Sequence, residues 1–196
     1  MNPTDQVLIN IILYVFLPLW CAAGFVDWHC HRKSKIESTS GVKESLLHAL
    51  MGVQVGIPIF LCLFFHVNAL VLIAFRLSLL MHDIVAYFDI RLARKERQIS
   101  ILEMHAHAFL STTPLFLFFM LVAINWETLE ELFHVRSSSS NHFSLIPATT
   151  SIGGPYYAPV FATLLLLFCV IPYLEELHRC ARAHVLRNQR FKTKIE

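Results

Sequence analysis

The chain has 196 residues, of which 56% are hydrophobic and only 15% are charged, and its mean hydropathy is +0.56. A soluble domain of this length does not need so much apolar surface, so the composition favours a membrane protein over a soluble one. The net charge of +2 is too small to indicate a partner, but the chain holds eleven histidines.

Five apolar stretches are each near the ~20 residues that cross the hydrocarbon core of a bilayer. They cover residues 7–25, 47–65, 69–88, 102–124 and 157–173. The sequence therefore predicts an all-α, polytopic membrane helix bundle that forms a single transmembrane domain over residues 1–196.

Small residues and prolines interrupt these stretches. Gly52 and Gly56 have a spacing that predicts close packing of the second helix against a neighbour. Pro58, Pro114 and Pro172 should each kink or interrupt a helix, because proline has no N–H to donate.

Lysine and arginine predict the orientation, because cytoplasmic connections carry an excess of both. The connections at 32–43 and 89–98 each hold four such residues and the segment 175–196 holds six, whereas the connection 125–156 holds one. We therefore expect an external N-terminus, an external loop at 125–156 and a cytoplasmic, amphipathic basic tail at 175–196. A bacterial inner membrane is favoured over an endomembrane.

Acids and histidines recur together where the spans meet the predicted cytoplasmic side. Residues four apart share one face of a helix and lie ~6 Å apart along its axis. Three pairs have this spacing: Asp27 with His31, Glu44 with His48, and Glu103 with His107. On the third span, His82 and Asp89 are seven apart and again share a face, with Asp83 beside them.

Four helices thus offer a carboxylate and an imidazole at similar depth, which is how di-iron and di-manganese sites are built in helix bundles. Mixed nitrogen and oxygen ligands suit iron, manganese or zinc. We expect two metal ions, preferably iron, with zinc or manganese as alternatives. The predicted ligands are Asp27, His31, Glu44, His48, His82, Asp83, Asp89, Glu103 and His107, all but Asp89 also predicted to be catalytic.

Further residues are predicted to support the site or to contact substrate. Glu175 and His178 have the i, i+3 spacing of carboxylate-bridged sites. Arg76 could pair with Asp83 or anchor a polar group of the substrate, since charges inside a membrane are paired or functional. The remaining candidates are Glu37, Tyr87 and His105.

Each acid–imidazole pair also has a simpler interpretation. Ser100 and Glu103 fit a capping box, and Glu44 fits the preference for acids in a first helical turn. Asp89 could pair with a loop arginine, a contact worth little. Four pairs at one membrane face favour a functional site, because ionisable residues at that depth are costly.

The motifs concerned read DWHCH (27–31), ESLLH (44–48), HD (82–83) and EMHAH (103–107). In layout, residues 27–107 resemble the membrane-bound, histidine-rich di-iron oxygenases of the fatty acid desaturase and hydroxylase type. The HxxxH and HxxHH boxes of that family are absent. The sequence has more carboxylates than that family, and in this respect it is similar to carboxylate-rich di-iron proteins such as the alternative oxidases. The resemblance implies O2 activation and oxidation of an apolar chain or ring.

The leading hypothesis is therefore an integral-membrane, non-haem oxidase or oxygenase acting on a hydrophobic, lipid-like substrate that enters from the bilayer. Electrons would come from an external donor of ferredoxin, rubredoxin or reductase type, since the chain has no haem, flavin or iron–sulfur signature. Two alternatives stay open: a zinc-dependent hydrolase of a lipid or headgroup, and a metal- or haem-binding subunit without catalysis of its own. No nucleic-acid motif is present, and no nucleic-acid partner is expected.

Overall fold

The computed structural model describes residues 2–134, 143–148 and 152–193. Five of its helices are long and apolar enough to cross a membrane: α1 (Pro3–Ser34), α2 (Gly41–Phe64), α3 (Ala69–Glu96), α4 (Ile101–Ile124) and α6 (Tyr157–Arg190). The short α5 (Trp126–His134) lies between α4 and α6. The predicted all-α membrane helix bundle is confirmed.

Large apolar side chains cover the outside of the bundle. Leu46, Leu77, Phe119 and Val160, on four different helices, are each more than half exposed. Water would penalise such a surface, whereas lipid accepts it. By the length and composition of its helices the chain is a multi-pass membrane protein.

The five long helices form a ring in which α1 packs on α4 and α6, α2 packs on α3 and α6, and α3 packs on α4. An apolar core fills the half of the ring near the N-terminus of α1, with Leu13, Phe75 and Leu117 almost fully buried. Ionisable side chains fill the other half, which we call the ligand end. The helices α1 and α3 finish there, and α2 and α4 begin there.

The helices α1 and α6 run parallel and approach closely. A Cβ atom at Gly24 would lie 3.2 Å from the Sγ of Cys169, so the glycine permits this approach. Further along, the Tyr173 hydroxyl reaches Asp27, and Trp28 Nε1 donates to Glu175 at 3.0 Å. These contacts follow one another in the same order along both helices, so α6 reaches the ligand end together with α1. The predicted tail at 175–196 therefore begins inside the bundle as part of α6.

Prolines are accommodated in two ways. The helices α2 and α4 continue through Pro58 and Pro114, so neither proline interrupts its helix. Before Pro172, by contrast, α6 forms a π-helical turn at Leu166–Val170, where the Ile171 N–H donates to the carbonyl of Leu166. The wider turn rearranges the backbone where proline cannot donate.

The prediction for the paired glycines is wrong. Among the residues that the structure describes, no atom of another helix lies within 4 Å of a Cβ atom built at Gly52 or at Gly56, so neither glycine packs closely against a neighbouring helix. Both glycines instead line a cavity that leads to the ligand end.

Short connections close both ends of the ring. At the ligand end, α1 stops where Lys35 takes a left-handed φ of 54°. At the opposite end, His66 N–H donates to Ile146 and Ala148 N–H donates to Phe64, both at 2.9 Å, which holds part of the 125–156 segment on the bundle. Residues 135–142 and 149–151 of that predicted loop lie outside the described part of the chain.

Gly153 fixes the start of α6 against α1, and its replacement tests this contact. The φ angles of Gly153 and Gly154 are +82° and +90°. Alanine in such a left-handed conformation costs about 1–2 kcal/mol, so Gly153→Ala and the control Gly154→Ala share this loss of stability. Only at Gly153 would the new Cβ collide, 2.8 Å from Leu13 and 2.9 Å from Tyr157. We expect Gly153→Ala to lower the melting temperature of the detergent-solubilised protein more than Gly154→Ala does. Equal losses would contradict this packing.

Candidate metal centre

Seven ionisable side chains from all five long helices are buried together at the ligand end. Each is at most 5% exposed, although such groups are rarely buried unless paired. They are Asp27 and His31 of α1, Glu44 and His48 of α2, Asp89 of α3, Glu103 of α4 and Glu176 of α6.

Glu176 lies at the middle of this group and is itself 0% exposed. Its Oε2 lies 2.9 Å from Nδ1 of His31, and its Oε1 lies 3.0 Å from Nδ1 of His48. The two imidazoles stack with their centroids 4.4 Å apart and their planes 8° from parallel. Because an ionised carboxylate only accepts, we assign the hydrogen of each neutral ring to Nδ1, which leaves each Nε2 with a free lone pair.

Each of these Nε2 atoms faces two carboxylates. His31 Nε2 lies 3.5 Å from Asp27 and 3.3 Å from Glu103. His48 Nε2 lies 3.2 Å from Asp89 and 4.0 Å from Glu44. An imidazole oriented by a carboxylate behind it and faced by further carboxylates is the arrangement found around protein-bound metals.

Three groups of side chains have ligand atoms within 4.8 Å of one another, close enough to share an ion. The first joins His31, Glu44 and Glu103, and the second joins Glu44, His48 and Asp89. Glu44 belongs to both groups, as a bridging carboxylate would. In the third group Asp27 faces both histidines. Mixed carboxylate and imidazole donors of this kind suit iron, manganese or zinc.

Several of these buried atoms have no hydrogen-bond partner within the described residues. They include Asp27 Oδ1, His48 Nε2 and Asp89 Oδ1. The last two are 3.2 Å apart yet are not aligned as donor and acceptor. Because buried polar atoms are normally satisfied, acceptors that converge without a donor fit a site for a cation.

Arg97, in the connection between α3 and α4, supplies positive charge at the edge of the group. Its Nη1 donates to Glu103 at 3.0 Å, its Nε donates to Glu44 at 3.3 Å, and its Nη2 contacts both carboxylates. Burial by itself lowers the pKa of Arg97, but the hydrogen bonds and charges of Glu103 and Glu44 outweigh it and raise the pKa. The guanidinium is therefore charged.

The charges at the ligand end do not balance within the protein. Five buried carboxylates face one buried guanidinium. With both histidines neutral, as metal ligands would be, four negative charges remain, which two divalent cations would cancel; with both histidines protonated, two negative charges would still remain. Uncompensated charge in a low-dielectric interior is costly, so the imbalance favours cations bound at this end.

The structure brings together six of the nine predicted ligands and leaves three outside the ion-binding groups. His107 lies beside them, with Nε2 3.8 Å from Asp89. His82 is buried, and at most one of its two ring nitrogens is satisfied among the described residues, by the backbone of Met51. Asp83 faces away and is exposed, which corrects its predicted role. Neighbouring residues on a helix point about 100° apart, so with His82 inward, Asp83 turns outward.

Most predicted supporting residues also lie elsewhere. Arg76 and Tyr87 are on the exposed side of α3, and Tyr87 is 62% exposed. His105 and His178 are exposed, which corrects any contact with the group. Glu175 pairs with Trp28 and Arg179, and Glu37 pairs with the same arginine. These last two acids fasten α6 to α1 and to the following connection.

The sequence interpretation missed Glu176, Arg97 and Tyr173. Glu176 continues the buried stripe of Cys169, Pro172 and Cys180 on α6, a helical periodicity that distinguishes it from Glu175. The Tyr173 hydroxyl, on the same helix, donates to Asp27 at 3.1 Å.

A cavity of about 500 Å³ opens beside the group. Its walls are almost entirely apolar, and its polar lining includes His48, Asp27 and Tyr173. A hydrophobic molecule in this cavity would therefore reach the buried ligands without crossing water.

Comparison with known proteins gives no match: no family model fits the chain, and no curated protein or solved structure matches it.

Arg97 offers a test of the charge balance. Replacing it by Gln leaves Glu44 and Glu103 without their cation, and breaking a buried ion pair costs about 3–5 kcal/mol. We expect Arg97→Gln to lower the melting temperature of metal-free protein strongly and that of metal-loaded protein less, because bound cations would neutralise the same carboxylates. The exposed Arg94, replaced in the same way, is the control. A loss that metal does not reduce would contradict a shared charge balance.

Proposed function

We propose that this chain is an integral-membrane, non-haem, dinuclear metal oxidase or oxygenase that acts on a hydrophobic substrate. Iron is the preferred metal, with manganese and zinc as alternatives. The site would lie at the cytoplasmic face, since the 32–43 and 89–98 connections beside it carry the basic residues. A bacterial inner membrane is the favoured location.

The observation that carries this proposal is the pair of stacked imidazoles oriented by one carboxylate. His31 and His48 both bond to Glu176 through Nδ1, and Glu44 is shared between the ion-binding groups that contain their Nε2 atoms. A capping or solvating role explains neither feature. Ser100 Oγ does cap Glu103 N–H at 3.2 Å, but the Glu103 carboxylate is directed to Arg97 and His31.

Six side chains would hold the metals, and the others would keep them in place. Bound iron would supply O2 activation at coordination positions that the protein leaves open. Glu176 fixes the two histidine rings, and Tyr173 fixes Asp27 through a hydrogen bond. The proposed ligands are Asp27, His31, Glu44, His48, Asp89 and Glu103.

The cavity supports a hydrophobic substrate. Its apolar walls exclude bulk water from His48 and Asp27. The helices that form these walls are apolar enough to face lipid. This favours oxidation of an apolar molecule over hydrolysis, which needs water at the metal. Electrons would come from an external donor of ferredoxin, rubredoxin or reductase type, docking on the basic connections.

Haem ligation by the two central histidines is disfavoured by their geometry. The rings of His31 and His48 stack with centroids 4.4 Å apart, which leaves no space for a porphyrin between them. Their Nδ1 atoms are already bonded to Glu176.

Metal content tests the centre directly. We expect two metal ions per chain in the purified protein, and Glu176→Gln to lower metal affinity by about 10–100-fold, because the amide cannot accept from both Nδ1–H groups. Glu175→Gln, one residue away, is the matched control and should bind metal normally. Equal metal binding by the two variants would show that Glu176 does not contribute to the metal site.

The kind of chemistry is tested by metal identity and O2 consumption. We expect iron-loaded protein with an artificial electron donor and membrane lipid to consume O2, and His48→Ala to abolish this, because one ion loses its imidazole. Zinc in the native protein, with release of a headgroup and no O2 uptake, would contradict the oxidase and support the hydrolase alternative.

A further inference from the structure

The cavity beside the metal centre extends along the helix axes. It is lined on α2 from His48 to Phe60 and on α6 from Leu165 to Leu177, and in each case the two end residues are twelve positions apart. At a rise of 1.5 Å per residue this is about 18 Å, more than half of a ~30 Å hydrocarbon core. The length fits one extended hydrocarbon chain.

The two ends of the cavity differ in chemistry. The end near Phe60 and Leu165 is apolar, whereas the other end holds His48, His82 and His107. A molecule that matches both ends has a hydrocarbon tail and a polar head, which we call a single-chain amphiphile.

His82 carries the strongest indication of a polar ligand. It is 4% exposed and lines the cavity, and of its two ring nitrogens at most one is satisfied within the described residues, by the backbone of Met51. It also lies outside the three groups that could share an ion. A buried ring nitrogen left without a partner costs free energy, and a hydroxyl or carbonyl group in the cavity would satisfy it.

Gly52 and Gly56 make room for the tail. Both line the middle of the cavity on α2, and a Cβ atom at either would meet nothing within 4 Å. Larger side chains there would fit the fold but fill the cavity. The two glycines therefore leave space for a ligand in the cavity and do not mediate helix packing.

We propose that the cavity binds a single-chain amphiphile with its polar end at His82 and its tail along Gly52 and Gly56 toward Phe60. His82 is thus a substrate-binding residue rather than a metal ligand. This orientation presents the polar end and the first carbons of the chain to the metal centre. The reactive position of the substrate depends on the proposed oxidase, but the binding itself does not.

The test measures binding of hexadecanol and of hexadecane to delipidated protein in detergent by native mass spectrometry, alongside elemental analysis. We expect Gly52→Leu and Gly56→Leu each to lower hexadecanol affinity by about tenfold or more with metal content unchanged, since the leucine occupies the space of the chain. Ala108→Leu, which enlarges an exposed residue of α4, is the control and should bind as the unmodified protein does.

His82 is tested in the same assay. We expect His82→Phe to lower hexadecanol affinity by about tenfold, the value of one hydrogen bond, and to leave hexadecane affinity unchanged. His82→Gln, which keeps a donor and an acceptor, should restore part of the difference.

Unchanged hexadecanol binding in both glycine variants would overturn the inference, as would equal effects of His82→Phe on the alcohol and the alkane. Loss of metal from His82→Phe with unchanged binding of both ligands would also overturn it and return His82 to the metal site. If the unmodified protein holds no metal yet shows the expected glycine and His82 effects, the proposed oxidase fails while the amphiphile site stands.

Discussion

The structure depends on the burial of five carboxylates in a bundle whose outer surface is made for lipid. Each carboxylate that loses water without compensation costs several kcal/mol. Hydrogen bonds and ion pairs from the surrounding side chains lower this cost. Arg97 binds Glu44 and Glu103. Tyr173 donates to Asp27, and the two imidazoles bond to Glu176. They still leave an excess of negative charge, and that excess is the physical argument for cations.

The bundle divides its length between two tasks. Around Leu13, Phe75 and Leu117 it is an apolar core that holds the helices in register. At the ligand end the same helices carry acids and histidines instead, two each from α1 and α2 and one each from the other three. Because the ligands come from separate helices, their geometry is set by the packing of the whole ring. The cavity connects the two halves, so an apolar molecule could extend from the core region to the ligand end.

Much of the site could be predicted because helical spacing is reliable over one turn. Asp27 and His31 share a face, as do Glu44 and His48, and both pairs are buried in one group. The same reasoning placed Asp89 with His82 on the inner face of α3. It fails for Asp83, since a neighbouring residue cannot share that face.

The remaining errors arose where the partner is not readable from local spacing. The Glu-x-x-His spacing selects Glu175, whereas the buried stripe of α6 selects Glu176. Arg97 resembled the other cations of a basic connection, and only the three-dimensional fold shows that it turns inward. Gly52 and Gly56 have the spacing of a packing motif, yet no atom of another helix in the described residues lies within 4 Å of a Cβ atom built at either position.

The most direct test of the account is an anomalous-scattering map of crystals of the iron-loaded protein, recorded at the iron edge. The account predicts two peaks within bonding distance of the carboxylate and imidazole atoms. One peak would contact His31, Glu103 and Glu44, and the other Glu44, His48 and Asp89. A map without peaks at these atoms, with Arg97 still joining Glu44 and Glu103, would contradict it.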